Sequence, residues 1–297
     1  MKFAHFYKLL AISTTIIFAF PACINNKLQE IYYDTNLNTD SKLSDRDHEK
    51  MENLESFNQN NKIRLTIIYD NEPHDKKLEN AWGFACVVDL HYKKILFDTG
   101  GNSEILLNNM KISGIKPVEI NTVFISHEHY DHTDGLISFL EVNNNVTVYI
   151  LSSHSEDIKK NISVSGAKIE EVKEAGEIYP DIYTTGELGN SVKEQSLIIR
   201  TTKGLVVITG CAHPGVVNII RKAKEIVDDD VYLILGGLHL KDLSSSAIES
   251  TINELKDLGV KKVAPSHCTG ALALKRFQYL FGENYIKSGV GKTIIIE

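Results

Sequence analysis

The sequence has few cysteines, no dense block of basic residues and neither of two common catalytic motifs. Its four cysteines, at positions 23, 86, 211 and 268, are too scattered for a disulfide scaffold, and no two form a Cys-x-x-Cys pair. A net charge of -7 and the lack of a Lys/Arg cluster argue against nucleic acid as a partner. Without Gly-x-Ser-x-Gly or a P-loop, neither a covalent serine mechanism nor nucleotide triphosphate chemistry is indicated. With 42% hydrophobic and 24% charged residues, the 297-residue chain has an ordinary globular composition.

The N-terminal segment has the composition of an export signal. Lys2 and Lys8 give it a positive start, and the apolar run at 9–20 is shorter than the about 20 residues that a bilayer span needs. The run ends in Phe-Pro-Ala-Cys at 20–23, which resembles the lipobox of a bacterial lipoprotein. We expect 1–23 to be a lipoprotein-type signal peptide with Cys23 as a lipid anchor to the membrane; the alternative is a simple secretory signal with an incidental cysteine. Both predict an exported protein, either held in the cell envelope or periplasmic or secreted.

The composition changes again on either side of residue 62. Residues 24–61 are polar without sustained apolar periodicity, which is typical of a linker; an N-terminal extension with no role is the alternative. From 62 to 297, β-branched runs alternate with helix-like segments, which predicts one α/β catalytic domain. We expect strands at 63–69, 84–90, 94–97, 121–125, 146–151, 196–200, 205–208, 231–235 and 262–264, and helices at 105–110, 134–140 and 216–226.

One strand leads directly into a dense group of metal-ligand residue types. The strand at 121–125 is followed by His-Glu-His-Tyr-Asp-His at 127–132. Three imidazoles and a carboxylate within six residues suit zinc, iron or manganese. Successive side chains of a strand alternate in direction, so a turn beginning near Tyr130 is needed for all four ligands to converge.

Three later strands also lead to histidines. The strands at 205–208, 231–235 and 262–264 are followed by His213, His239 and His267. Because α/β sheets place ligands at the carboxyl ends of their strands, we expect these loops to meet the segment 127–132.

These motifs together resemble the metallo-β-lactamase superfamily. The resemblance is carried by His-x-His-x-Asp-His at 127–132, Asp-Gly at 134–135 and Leu-Phe-Asp-Thr-Gly at 96–100. The motifs at 209–215, 236–240 and 265–270 are similar to a subfamily named for dihydropterin ribofuranosyl-aminobenzene phosphate synthase. The resemblance implies a four-layer αββα sandwich and a hydrolase in which water activated by two divalent ions is the nucleophile.

The two-ion pattern of the superfamily also implies a ligand set. It assigns His127 and His129 to the first ion, and Asp131, His132 and His267 to the second. Asp131, bound to one ion, is also implied as a proton acceptor and therefore as a catalytic residue.

The sequence departs from this pattern at two positions. The usual bridging aspartate is replaced by Cys211, which is either a soft ligand that favours zinc or a buried thiol. The third histidine of the first ion is expected before the strand at 196–200, where only Glu187 and Glu194 occur. His213 is the alternative ligand, or it contacts substrate.

Two further residues have expected roles at the same edge of the sheets. His239 contacts metal, orients substrate or donates a proton as a catalytic residue, unless it is a plain surface histidine. Asp98 is expected to support a ligand imidazole. No role is assigned to the histidines at positions 5, 48, 74, 91 and 154.

We therefore expect a binuclear hydrolase, most simply with two zinc ions, that acts on a small-molecule phosphoester or a related ester, lactone or amide. The helix N-terminus after Gly215 is suited to a phosphate group. The alternatives are a synthase-like enzyme that forms carbon–nitrogen bonds and a metal-binding surface lipoprotein without turnover. An export signal argues against the first alternative, and a ligand set larger than that of a closed four-ligand site argues against the second.

Overall fold

The computed structural model describes residues 62–297. The first half contains β1 (Ile63–Asp70), β2 (Phe84–Asp89), β3 (Lys94–Phe97), α1 (Ser103–Ile112), β4 (Thr122–Phe124), α2 (Tyr130–Thr133), α3 (Leu136–Val142), β5 (Thr147–Leu151), α4 (Glu156–Ser165) and β6 (Lys168–Val172). The second half contains β7 (Gly176–Tyr179), β8 (Ile182–Thr184), β9 (Leu197–Thr201), β10 (Gly204–Thr209), α5 (Val216–Ile226), β11 (Val231–Gly237), α6 (Ser245–Asp257), β12 (Lys262–Ser266), α7 (Ala271–Phe281) and β13 (Thr293–Ile296).

The strands form two sheets, each with a parallel block. The first sheet has the order β13-β1-β2-β3-β4-β5-β6 and the second β12-β11-β10-β9-β8-β7. Strands β3 to β6 run parallel in the first sheet, as do β10 to β12 in the second. The remaining pairs are antiparallel. The carboxyl ends of each parallel block therefore lie at one edge of its sheet, where the histidine-bearing loops begin.

Three apolar clusters hold the layers together. One lies between the sheets and includes Phe124 and Leu235. A second packs helices against the outer face of the first sheet through Leu106 and Phe139, and a third does so for the second sheet through Phe277. The resulting order of helix, sheet, sheet and helix confirms the αββα sandwich expected from the resemblance.

Helix α5 illustrates how the sequence pattern produces one of these layers. Its buried residues are Val216, Ile219, Ile220 and Ala223, a spacing that places them on one face of a helix. That face joins the apolar cluster outside the second sheet, while the intervening Arg221 is exposed and pairs with Glu254 of α6. The predicted helix at 216–226 is confirmed with the same bounds.

All nine predicted strands are present, with ends displaced by two residues or fewer. The helices predicted at 105–110 and 134–140 are also present, as Ser103–Ile112 and Leu136–Val142. The elements not predicted from the sequence are α4, β6, β7, β8, α6, α7 and β13, and α2 was predicted only as a turn. Strands β6 and β7 are the open edges of their sheets, and their mixture of charged and apolar residues gives little strand signal.

The predicted signal peptide at 1–23, its Cys23 and the predicted linker at 24–61 lie outside the residues that the structure describes. No helix between 62 and 297 combines the length and the apolar composition needed to traverse a membrane.

Gly210 follows β10, at a point where the two sheets approach closely. A Cβ atom there would overlap Ser126 Oγ and lie 3.0 Å from Asp98 Oδ2, and both of those residues are fully buried. We expect Gly210→Ala to lower the free energy of unfolding by about 1–3 kcal/mol, the usual cost of overpacking. Gly176→Ala is the matched control, because no atom lies within 4 Å of its Cβ position. Urea unfolding measures both variants, and equal losses of stability would contradict the prediction.

Candidate metal centre

The loop after β4 turns at the residue where the sequence required a turn. Helix α2 begins at Tyr130, and His129 is its N-cap residue with extended backbone. The His129 carbonyl accepts a hydrogen bond from the His132 amide at 3.0 Å, which closes the turn. As a result, the ring of His132 lies 4.2 Å from that of His127, centroid to centroid. The predicted turn is confirmed.

Three imidazoles form what we call the first ligand set. The ligand atoms of His127, His129 and His213 all lie within 4.8 Å of one another. His127 Nε2 is 3.1 Å from His129 Nδ1, and the His213 ring is 4.8 Å from that of His129, centroid to centroid. Three nitrogen ligands with an open position are typical of catalytic zinc sites. The third histidine expected before β9 is absent there, and His213 from the loop after β10 joins the set.

Two imidazoles and a carboxylate form the second ligand set. The ligand atoms of Asp131, His132 and His267 also lie within 4.8 Å of one another. Asp131 Oδ2 is 3.2 Å from His267 Nε2 and 3.7 Å from His132 Nε2. Divalent transition ions accept such mixed nitrogen and oxygen ligands.

Asp98 and Ser126 orient one imidazole of each set. Fully buried Asp98 accepts hydrogen bonds from the Ser126 amide, from Ser126 Oγ and from His132 Nδ1, each at 2.7 Å. Since the Ser126 hydroxyl donates to Asp98, His127 Nδ1 must donate to Ser126 Oγ, 2.9 Å away. Both Nε2 atoms are then free to bind a metal. Asp98 contacts an imidazole as predicted, whereas the sequence analysis missed Ser126.

Asp70, at the end of β1, and the following Asn71 orient His267. Neither of these two residues was identified from the sequence. Asn71 Oδ1 lies 2.9 Å from His267 Nδ1, and buried Asp70 accepts the His267 amide at 3.3 Å. The backbone of His267 is left-handed, with φ 50°, and its ring contacts that of Trp82 at 4.7 Å between centroids. These contacts aim Nε2 of His267 at the second set.

Glu194 anchors the loop that carries His213. Its buried carboxylate accepts hydrogen bonds from four consecutive amides, at 3.1 Å from Gly210, 2.9 Å from Cys211, 2.8 Å from Ala212 and 2.8 Å from His213. Ala212 has left-handed backbone, with φ 61°, so these bonds also hold a strained turn. Burial raises the pKa of Glu194 to about 7, although the amides act in the opposite direction. In the sequence, Glu194 is noted only as one of two glutamates that occur where the histidine ligand is expected, and no role is assigned to it.

Cys211 and His239 lie beside the two sets. The Cys211 sulfur is 3.3 Å from His132 Nε2 and within ligand distance of His127, although its side chain is buried. The His239 ring is 4.4 Å from that of His213, centroid to centroid, and is exposed. A hydrogen bond with the Cys268 sulfur raises the pKa of His239, while partial burial opposes that rise.

Three of the six ligands are held in the protonation state that binds a metal near neutral pH. Burial lowers the pKa of His127 well below its ordinary value, with help from the neighbouring His132. Burial, together with His239, lowers that of His213 to about 4, so both rings are neutral. Burial alone would raise the pKa of Asp131, but its bond with His267 and the nearby rings of His132 and His267 together outweigh this and hold it at about 2. Neutral imidazole and ionised carboxylate are the forms that bind a metal.

Three other histidines take no part in either set. His74 and His91 are exposed, while His154 is buried, and burial lowers its pKa. Within 62–297, none of the three belongs to a group of potential ligands. His5 and His48 lie outside the described residues.

The fold and the two ligand sets define the class of protein. A family model described as a beta-lactamase superfamily domain matches residues 93–268, which include every histidine of both sets. The chain belongs to this superfamily, as the sequence motifs predicted. It shares its fold with the structural relatives of the superfamily, which are metallo-β-lactamase proteins.

Individual relatives are similar over most of the chain. A 7,8-dihydropterin-6-methyl-4-(beta-D-ribofuranosyl)-aminobenzene-5'-phosphate synthase of Methanocaldococcus jannaschii is 31% identical over 247 residues, 68% of this chain and 84% of that protein. The crystal structure of Tm1679, described as a metal-dependent hydrolase of the beta-lactamase superfamily, is 28% identical with a TM-score of 0.67, covering 78% of this chain and 98% of that one. A diphosphatase of the PhnP family shares the fold at 13% identity and a TM-score of 0.56, covering 79% of this chain and 97% of that one.

Replacing Asp98 tests its support of the imidazoles. We expect Asp98→Asn to weaken zinc binding by about 10–100-fold, because an amide has one accepting oxygen and cannot keep all three bonds, which the two Asp98 oxygens accept from the Ser126 amide, Ser126 Oγ and His132 Nδ1. Competition with a chelator measures the affinity. The control is Asp89→Asn, since Asp89 accepts the exposed His91 amide at the end of β2. Equal affinities in the two variants would refute the prediction.

Replacing Glu194 tests the anchor of the loop after β10. In Glu194→Gln the amide nitrogen cannot accept, so at least one buried backbone N–H loses its partner. We expect the free energy of unfolding to fall by about 1.5–3 kcal/mol, as measured by urea denaturation. Glu187→Gln is the matched control, because Glu187 accepts a single exposed amide, from Ser153. A loss no larger than that of the control would show that the anchor is dispensable.

Proposed function

We propose that this protein is a hydrolase that uses two divalent ions on a small-molecule ester, with a phosphoester as the first choice. The observation that carries the proposal is the pair of adjacent ligand sets, His127, His129 and His213 beside Asp131, His132 and His267. The sets share no residue, so each ion has three protein ligands of its own. Membership of a superfamily whose relatives include a metal-dependent hydrolase supports the same reading.

The residues present fit such ions. His213 Nε2 and His267 Nε2 are buried; the first has no hydrogen-bond partner within the described part of the chain, and the second lies 3.2 Å from Asp131 Oδ2 of its own set. Each points toward the other ligands of its set, as a nitrogen with a free lone pair would toward a metal. Imidazole and carboxylate ligands with a thiol nearby favour zinc, and iron or manganese are the alternatives. When bound, two such ions activate water as a nucleophile and stabilise the charge that develops on the substrate oxygen.

Two side chains of this protein are placed to move protons. Asp131 is ionised, and its Oδ2 lies between His132 and His267, so it can accept a proton from a nucleophile held beside it. His239 is exposed next to His213, and its raised pKa favours the protonated ring that donates to a leaving group. We propose Asp131 as the base and His239 as the acid.

The rim of the site supports an anionic substrate. Helix α5 starts directly after Gly215, two residues beyond His213, so its N-terminus follows closely in the chain on a ligand of the first set. The positive end of a helix dipole favours a phosphate or carboxylate group there. Esters, lactones and amides with an anionic substituent fit the same arrangement.

A second candidate function is a synthase reaction. It is favoured by the name of the relative from Methanocaldococcus jannaschii, at 31% identity. We prefer hydrolysis because the segment at 1–23 predicts export, and a phosphorylated biosynthetic intermediate belongs inside the cell. We also propose attachment to the membrane through Cys23, for which the sequence of that segment is the support.

The test combines metal content with turnover in His129→Ala. We expect at least two zinc ions per wild-type chain, and in the variant about one ion fewer and at least a hundredfold lower hydrolysis of chromogenic phosphodiesters, phosphomonoesters or lactones. His91→Asn is the control, because His91 is exposed outside both sets and asparagine tolerates its left-handed backbone.

The remaining outcomes discriminate between the candidates. Two bound ions without hydrolysis of any ester would favour the synthase reaction or a binding lipoprotein. A wild-type chain that binds no metal would reject the proposal as a whole.

A further inference from the structure

A second cluster of soft ligands lies beside the metal centre. Cys211 Sγ, Cys268 Sγ and a ring nitrogen of His239 all lie within 4.8 Å of one another. Both thiols are free and only 4% exposed, whereas the imidazole is exposed. Two of the three contact the ligand sets: Cys211 Sγ lies 3.3 Å from His132 Nε2, and the His239 ring lies 4.4 Å from that of His213, centroid to centroid.

The fold brings the three residues together from three strand ends. Cys211 follows β10, His239 follows β11 and Cys268 follows β12, and these three strands are neighbours in the parallel block of the second sheet. The Cys268 thiol donates a hydrogen bond to the Cys211 carbonyl at 3.4 Å. The cluster therefore depends on the pairing of the strands and not on closeness in sequence.

Gly237 leaves the room that the Cys268 sulfur occupies. A Cβ atom at this position would lie 2.4 Å from the Gly210 carbonyl oxygen and 2.7 Å from Cys268 Sγ, both too close for a side chain. The sulfur thus fills a space that only glycine leaves open between β11 and β12.

The backbone is strained at each corner of the cluster. Ala212, His239 and His267 have φ values of 61°, 52° and 50°, in the left-handed region that residues other than glycine rarely adopt. Ala212 is next to Cys211 in the chain, His239 is itself a member of the cluster, and His267 is next to Cys268. Strain of this kind persists where surrounding contacts enforce it and concentrates at functional sites.

We propose that Cys211, Cys268 and His239 form a third metal site, selective for a thiophilic ion such as zinc, cadmium or copper(I). Two thiolates and an imidazole are preferred ligands of such ions and supply three corners of a tetrahedron. Metal–sulfur distances of about 2.3 Å and metal–nitrogen distances of about 2.0 Å require ligand atoms roughly 3.5 Å apart. This separation is inside the 4.8 Å within which the three ligand atoms lie. Binding releases the two thiol protons to solvent.

The site goes beyond the proposed hydrolysis and does not rest on it. It uses none of the six residues of the two ligand sets, and it contacts them through the Cys211 sulfur beside His132 and the His239 ring beside His213. Its occupation would engage the His239 nitrogen that we propose as a proton donor, so the ion would compete with that role.

The test titrates the metal-free full chain with Co²⁺ and follows the sulfur-to-cobalt charge-transfer absorption in the near ultraviolet. In the wild type we expect a band from two thiolates. In Cys268→Ser the band should fall by roughly half, because one of two sulfur ligands is gone. Cys86→Ser, which changes a buried free thiol in β2, should leave it unchanged.

Two further variants complete the design. His129→Ala should keep the full band while it loses an ion from the first ligand set, which separates this proposal from the proposed function. His239→Asn alters an exposed residue, and therefore serves if Cys268→Ser does not fold; we expect the ion that gives the band to bind about tenfold more weakly.

Either of two results would overturn the third site. One is a charge-transfer band of equal intensity in the wild type and Cys268→Ser. The other is a purified chain in which thiol titration finds Cys211 and Cys268 already joined as a disulfide.

Discussion

The hydrogen bonds to the Asp98 carboxylate are the constraint on which the metal centre depends. This group has no exposed surface, yet it receives the Ser126 amide and hydroxyl and the His132 imidazole, each at 2.7 Å. A buried carboxylate is stable only when such donors surround it. The same bonds therefore satisfy the charge, join the ends of β3 and β4, and set the tautomer of one imidazole in each ligand set. Gly210 has to lack a side chain for the second sheet to approach this network.

Buried carboxylates also hold the other loops of the site. Glu194 has no exposed surface and binds the four amides of the loop that carries His213, and fully buried Asp70 accepts the amide of His267. Three buried carboxylates, those of Asp98, Glu194 and Asp70, thus each hold a backbone turn next to the ligands. Left-handed backbone at Ala212 and His267 is maintained by these bonds. Rigid support of this kind lets a site keep its ligands in place without being filled by packing side chains.

Much of this arrangement could be predicted from local patterns, and some of it could not. The six residues at 127–132 are close in sequence, and an apolar strand precedes them, so both their chemistry and the need for a turn at Tyr130 are evident. His213 and His267 could be predicted as site residues because each follows a strand of the parallel block. No such signal marks Glu194, Ser126 and Asn71. Glu194 lies 16 or more residues from the amides that it binds, and Ser126 lies 28 residues from Asp98. Asn71 lies 196 residues from His267. The edge strands β6 and β7 were not predicted, because half-exposed strands tolerate charged residues and so lack a clear apolar pattern.

By itself, the sequence determined the fold class, the superfamily and the residue types of the metal centre. These follow from the periodicity of apolar residues and from motifs whose members are neighbours in the chain. Only the tertiary structure decided that His213 joins His127 and His129, that Glu194 holds a loop, and that Cys211, Cys268 and His239 share one corner of the site. The physical reason is that each of these groupings is made by strand pairing between β10, β11 and β12 and by the approach of two sheets. Such contacts join residues far apart in sequence, and no local pattern of amino acids encodes their distances.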